Sequence, residues 1–226
     1  MSFTRRPWLG LITLALAACS LSGCAPLPKG EYWGSSYVHL DPPRYTFDVP
    51  DGWRQATPSD YASLGFNRRG FARLDEAGRR AQVERAELEL QAIDTGLISS
   101  GGAWIQVGSE ARSGGWYSSS NPLQYGLSEK DKQGLWERFA RARTDHAPAS
   151  DKPTLTLESV DVVDYALNRF LRVRFRSDEA RGSLYWTVLG FFNSTDTISL
   201  AHVGTPENRE EGLAALETIA KSLRFD

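Results

Sequence analysis

The two cysteines of this 226-residue chain stand at positions 19 and 24, so the 202 residues that follow Cys24 contain none. That segment folds without a disulfide, a thiol nucleophile or a cysteine metal site. Its stability therefore comes from a packed core. About 200 residues make one ordinary domain, large enough to bury roughly 70% of its chain surface. A content of 41% hydrophobic and 24% charged residues is a globular composition.

The setting of the cysteines says where the chain goes. Arg5 and Arg6 precede an apolar run from Trp8 to Ala18, which closes on Leu21-Ser22-Gly23-Cys24. A positive start, a short apolar stretch and small residues before a cut site make a secretory signal, and the stretch is too short to span a bilayer. Cysteine directly after Leu-Ser-Gly resembles a lipobox, in which the thiol takes a diacylglycerol, residues 1–23 are cut away, and the new amino terminus is acylated. Leu16-Ala17-Ala18-Cys19 fits the same pattern, but a cut there leaves a shorter apolar stretch, so Cys24 is preferred over Cys19. An ordinary secretory signal or an uncut anchor is the alternative. Thr4-Arg5-Arg6-Pro7-Trp8-Leu9 is also similar to a twin-arginine export motif, although paired arginines are common in such starts. Ala25 rather than Asp follows Cys24. By resemblance to enterobacterial sorting rules this favours the outer membrane, facing the periplasm, in a double-membraned host. Without its signal the chain carries 24 basic and 28 acidic residues, a net charge of −4. That balance offers no footprint for nucleic acid or for anionic lipid.

Residues 24–43 read as a lipid-anchored tether, punctuated by Pro26, Pro28, Gly30 and Gly34 and stiffened by Pro42 and Pro43. Trp33, Tyr32 and Tyr37 are more aromatic than a linker needs, so they either pack on the domain or rest at headgroup level. The domain, residues 44–226, opens where Tyr45, Phe47 and Val49 alternate with polar residues before a Pro-Asp-Gly turn and Trp53. Leu171, Val173 and Phe175 alternate with Arg172, Arg174 and Arg176. With Ser183 to Phe192 and Ile198 to Val203 they predict an antiparallel meander. One helix is predicted from Ser128 to about Arg143, with Leu135, Trp136, Phe139 and Ala140 buried. A closing helix is predicted to be capped by Thr205, with Leu213, Leu216, Ile219, Ala220 and Leu223 as its apolar stripe. Between Arg80 and Asp94, Ala86, Leu88, Leu90 and Ala92 alternate as a strand would, whereas Val83, Ala86, Leu90 and Ile93 share one helical face. A strand is preferred, because no cap precedes it and Asp94-Thr95-Gly96 reads as a turn.

A strand of the form Tyr-x-Phe-x-Val-Pro-x-Gly-Trp over Tyr45 to Trp53, together with a final strand and a helix ending in Ser222-Leu223-Arg224-Phe225, resembles the PsbP-like superfamily. That group includes an extrinsic photosystem II subunit and bacterial lipoproteins. The resemblance covers Tyr45 to Trp53 and Asp196 to Phe225. It implies an α+β single domain in which helices flank a central antiparallel sheet, an α/β/α sandwich, and an accessory or assembly role without catalysis. Residues 108–153 have no counterpart in it and read as an insertion. No ligand or metal residue is implied.

Catalytic constellations are sparse. The three histidines are His39 in the tether, His146 in a loop and His202 in a strand, none at a metal-ligand spacing. Ser199 and His202 point to opposite faces of a strand, and no Gly-x-Ser-x-Gly elbow exposes a nucleophile. The expectation is a non-enzyme without cofactor or metal. Aromatic residues on a glycine- and serine-rich stretch, Trp104, Trp116, Tyr117 and Tyr125, are the candidate binding residues, since rigid rings give contact area while small polar neighbours adapt. Trp116 folded back as a lid on the core is the equal alternative. An envelope protein partner is the leading expectation for that surface. A glycan, a peptidoglycan fragment or a small amphiphile comes next, and an unrecognised hydrolase last.

Overall fold

A computed structural model describes residues 29–64, 71, 73–111, 127–145, 153–179, 182–192 and 196–225. Two antiparallel sheets organise them. The larger takes β4 (Trp53–Gln55), β5 (Thr95–Ser99), β6 (Trp104–Ala111), β7 (Thr154–Tyr165), β8 (Asn168–Glu179), β9 (Gly182–Phe192) and β10 (Asp196–Gly204) in the order β4-β5-β6-β10-β9-β8-β7. The meander expected from the alternating pattern is the β7 to β10 half of it. The smaller takes β1 (Gly30–Trp33), β2 (Ser36–His39), β3 (Tyr45–Asp48) and β11 (Arg224–Phe225) in the order β1-β2-β3-β11.

Residues 30–39 are therefore strands of the domain and not free tether. Tyr37 faces the core beside Tyr45 and Phe47, and the aromatic excess noted in the sequence is what buries this hairpin. Gly34, with φ +63°, makes its turn, a backbone that glycine adopts without penalty.

Four described helices cover the larger sheet. On one face lie α1 (Pro58–Leu64), α2 (Glu76–Gln91) and α3 (Glu129–Asp145). Ile98, Trp104 and Val203 meet Tyr61, Leu64, Leu90 and Ile93 there, while Val160, Val173 and Phe175 meet Leu135, Trp136 and Phe139. On the other face α4 (Arg209–Ser222) buries Ala215, Leu216, Ile219 and Ala220 against Ile105, Leu189, Ile198 and Leu200, and the small sheet completes the cover with Tyr37, Tyr45 and Phe47. The fold is α+β, a central antiparallel sheet with helices on both faces.

The stretch from Arg80 to Asp94 is not the expected strand: α2 runs through it. Its cap lies upstream of that window, at Asp75, whose carboxylate accepts the Gly78 N–H at 2.7 Å. Ala86, Leu90 and Ile93 turn to the core, whereas Leu88 is 61% exposed, as a 3.6-residue period demands. Asp94-Thr95-Gly96 is no simple turn either, since β5 begins at Thr95 and Gly96 lies under the ring of Trp104.

The Ser128 helix starts as expected. Ser128 Oγ accepts the Asp131 N–H at 3.2 Å while the Asp131 carboxylate takes the Ser128 N–H at 3.3 Å, a reciprocal cap. Ser128→Ala is expected to lower stability by about 1 kcal/mol, seen as a lower urea midpoint with an unchanged slope. The closing helix starts four residues later than Thr205. Asn208 stands at its cap position, and its side-chain oxygen accepts the Thr205 N–H at 2.8 Å instead of capping the helix.

Candidate functional site

Asp94 is the one charged group around which the interior is arranged. It follows α2 and precedes β5, its N–H donates to the Val107 carbonyl at 2.9 Å, and its side chain is 3% exposed. A carboxylate taken out of water needs partners, and the small sheet supplies them. Tyr45 donates its hydroxyl to Asp94 Oδ2 at 2.7 Å, and Tyr37 donates to the Asp94 carbonyl at 3.0 Å. Lys29 Nζ and His39 Nε2 lie 3.6 and 3.5 Å from Oδ1. Beside them Tyr32 and Thr95 share a short hydroxyl–hydroxyl hydrogen bond.

His39 is as buried as Asp94, 3% exposed, and stacks on Tyr45 at 4.8 Å. Its Nδ1 lies 2.8 Å from the Pro43 carbonyl, which only accepts, so Nδ1 carries a proton. Nε2 then faces the carboxylate. Unprotonated, its lone pair would oppose Oδ1, whereas protonated it forms an ion pair, off line for a hydrogen bond but close enough to attract. Burial works against charging the ring, yet Asp94 and the carbonyls of Pro43 and Asp41 outweigh it and raise the pKa above the ordinary 6.5. Asp94 is the mirror case. Burial disfavours its charge, but His39, Ser109 and Tyr45 together hold its pKa below the usual carboxylate value. Burial first, then Asp94, pushes the Tyr45 and Tyr37 hydroxyls well up, so both remain donors.

This arrangement joins elements rather than presenting a reactive group. Every polar atom of Asp94 is engaged by the small sheet or by β6, so the carboxylate rivets the N-terminal hairpin to the α2–β5 corner. Among the described residues no three His, Cys, Asp or Glu side chains converge as metal ligands do.

His202 is the other buried ionisable group, 0% exposed on β10 under the first turns of α4, and neither ring nitrogen has a hydrogen-bond partner among the described residues. Burial, then the nearby Arg209 charge, lowers its pKa to about 4. Ser199 lies on the opposite face, donating to the Gly108 carbonyl at 3.2 Å, so the two do not form a dyad.

The two histidines predict opposite pH limbs. For His202 the folded pKa is depressed, so its contribution is present above pH 6.5 and is lost as pH falls towards about 4, about 3 kcal/mol in all. For His39 the folded pKa is raised, so its contribution is present below pH 6.5 and is lost as pH rises through the folded value. Urea midpoints taken from pH 4 to 9 are expected to pass through a maximum. His202→Gln should flatten the acid limb alone, and His39→Gln the alkaline one.

The arginine row behaves as expected of a polar sheet face. Arg172 pairs with Asp161 at 2.7 Å, Arg176 with Asp178 at 3.0 Å, and Arg174 donates to Ser159 Oγ at 2.9 Å. Next to it Arg209 pairs with Glu158 and lies 4.4 Å over the Tyr185 ring.

Of the candidate binding residues, Trp104 is no surface ring. It is 4% exposed, with Gly96 beneath its ring and Tyr61 4.9 Å away. Trp116, Tyr117, Tyr125, His146, Cys19 and Cys24 lie outside the described residues. Of the segment 108–153, the structure describes the end of β6, the Leu127–Ser128 lead, α3 and Pro153. Reasoning from sequence missed Lys29, His39 and Asp94 as a cluster. The one available signal was the alternation of Tyr37 and His39 with Val38, the same period as in β3.

A central antiparallel sheet with helices on both faces, closed by a small N-terminal sheet, is the class of protein that this chain represents. Among solved structures it is similar to the solution structure of cyanobacterial PsbP (CyanoP) from Synechocystis sp. PCC 6803, with 12% identity over 93% of this chain and 99% of that one and a TM-score of 0.49. It is also similar to the crystal structure of LpqN, involved in cell envelope biogenesis of Mycobacterium tuberculosis, with 12% identity over 83% and 87% of the two chains and a TM-score of 0.44. Both likenesses are of fold, and the first falls on a PsbP, the group that the two ends of the domain resemble. No protein-family model matches the chain, and no curated protein does.

Proposed function

We propose that this chain is a non-catalytic bacterial envelope lipoprotein that holds its domain at a membrane through lipid on Cys24 and serves another envelope protein as an accessory, scaffold or assembly factor. The observation that carries this reading is a juxtaposition. The lipobox cysteine stands only six positions before Gly30, the first residue of β1, so the domain follows its anchor almost at once. Among the described residues no helix is long and apolar enough to cross a membrane, which leaves attachment to the lipid. The closed Asp94 cluster supports the non-catalytic part, because its acid and its imidazole are spent on joining the two sheets. Ala25 after Cys24 supports the outer membrane as the destination. The partner would meet the Trp116 stretch and the exposed side of α3.

The test is crosslinking in native envelopes, followed by purification through a C-terminal tag and mass spectrometry. One dominant partner, lost in Cys24→Ala, is the expected result; no reproducible partner overturns the scaffold role. In the same strains Cys24→Ala is expected to abolish incorporation of labelled palmitate and to move the protein from the membrane to the soluble fraction, whereas Cys19→Ala leaves both unchanged.

A further inference from the structure

The outer face of the small sheet is covered by nothing in the domain. Along β1, Tyr32 turns inward to Tyr37 and Thr95, while Glu31 and Trp33 turn outward, and Trp33 is 62% exposed. Its indole N–H donates to Glu31 Oε2 at 3.0 Å, which holds the ring along the strand with one apolar face free. Leu40 and Arg44 stand exposed at the other end of the hairpin, Arg44 Nε donating to the Leu40 carbonyl at 3.2 Å.

Chain length decides what covers this face. Six residues separate Cys24 from Gly30, so the start of β1 lies within about 20 Å of the lipidated sulfur even when the link is fully extended. The domain end of that link is fixed, because the Lys29 carbonyl accepts the Leu40 N–H at 3.0 Å and Lys29 Nζ pairs with Asp94. Trp33 is three residues further along β1, about 10 Å, within the same reach. A ring with an apolar body and a polar N–H is the side chain that headgroup layers favour.

We infer that the β1–β2 hairpin lies on the membrane that carries the Cys24 acyl chains, with the Trp33 ring at headgroup depth. This rests on the lipoprotein reading above. With a net charge of −4 and Glu31 beside the ring, the contact is made by the indole and the short link rather than by charge, so it should be insensitive to salt and to anionic lipid.

The test is fluorescence quenching by brominated phosphatidylcholine, with the full lipidated protein in phosphatidylcholine–phosphatidylethanolamine vesicles. Seven tryptophans less Trp8 of the signal leave six, so Trp33 accounts for about a sixth of the emission. The wild-type minus Trp33→Phe difference spectrum is expected to be quenched by brominated lipid and shielded from aqueous iodide. A difference spectrum untouched by brominated lipid but quenched by iodide overturns the inference and frees this face for a protein. Palmitate labelling of the same sample separates the two failures: labelled protein with an unquenched Trp33 sinks the orientation alone, whereas unlabelled protein sinks the lipoprotein reading with it.

Discussion

Replacing Asp94 by alanine is expected to destabilise the domain by about 4 kcal/mol, because removing one partner of a buried charged group leaves the others desolvated and unpaired. The substitution strands His39 and the Tyr45 hydroxyl in the interior and releases Lys29, the fixed end of the anchor link. Against a total stability of about 5 to 15 kcal/mol for a typical protein, that is a large share. For a domain of this size it should lower Tm by about 8 to 16 °C, measurable by circular dichroism or calorimetry. Asp94→Asn separates charge from shape, since the amide oxygen still accepts from Tyr45 but no longer faces a positive His39. The His39 pKa, followed by NMR, should then fall below 6.5, because burial lowers it and its main opponent is gone. An Asn variant as stable as the parent, with an unmoved His39, would show that the cluster does not depend on the Asp94 charge.

Gly212→Ala is expected to cost about 3 kcal/mol, at the upper end of ordinary overpacking. Helix propensity argues the other way, since alanine in a helix interior is worth about 1 kcal/mol more than glycine. Packing decides the sign. A Cβ on Gly212 would stand 1.8 Å from His202 Nε2 and 2.1 Å from Cδ2, and the imidazole cannot withdraw easily because its other side is against Gly204. His202→Ala opens the space that the new methyl needs. The double variant should therefore be markedly more stable than the sum of the two single effects, with a coupling above 1 kcal/mol in urea denaturation. Additive effects would mean that helix α4 simply shifts away from the ring.

The contrast between these two sites shows what a linear reading reaches. Helix α3 and the strands β3, β8, β9 and β10 were legible because their signals are local: a Ser128–Asp131 cap, and apolar residues alternating as in Leu171, Val173 and Phe175. Helix α2 was misjudged because Ala86, Leu88, Leu90 and Ala92 satisfy a two-residue period by coincidence, and the deciding cap at Asp75 lies outside that window. The hairpin of β1 and β2 looked like a linker because its prolines and glycines are those of a linker. Each strand is four residues long, and only pairing with β3 and the burial of Tyr37 make it part of the core. Trp104, which composition placed on a binding surface, is in the interior because β6 sets its ring over Gly96.

The sequence alone determined the properties that follow from covalent chemistry and short-range pattern: a signal ending in a candidate lipidation cysteine, a domain without disulfides, a mixed α+β make-up and a meander of alternating strands. The tertiary structure alone decided where the charges and rings are spent. Lys29, His39, Tyr45 and Asp94 are up to 65 positions apart, and nothing local links a residue taken for a tether to one taken for a turn. Burial brings them together, because a carboxylate removed from water must find its partners wherever the packed sheets place them.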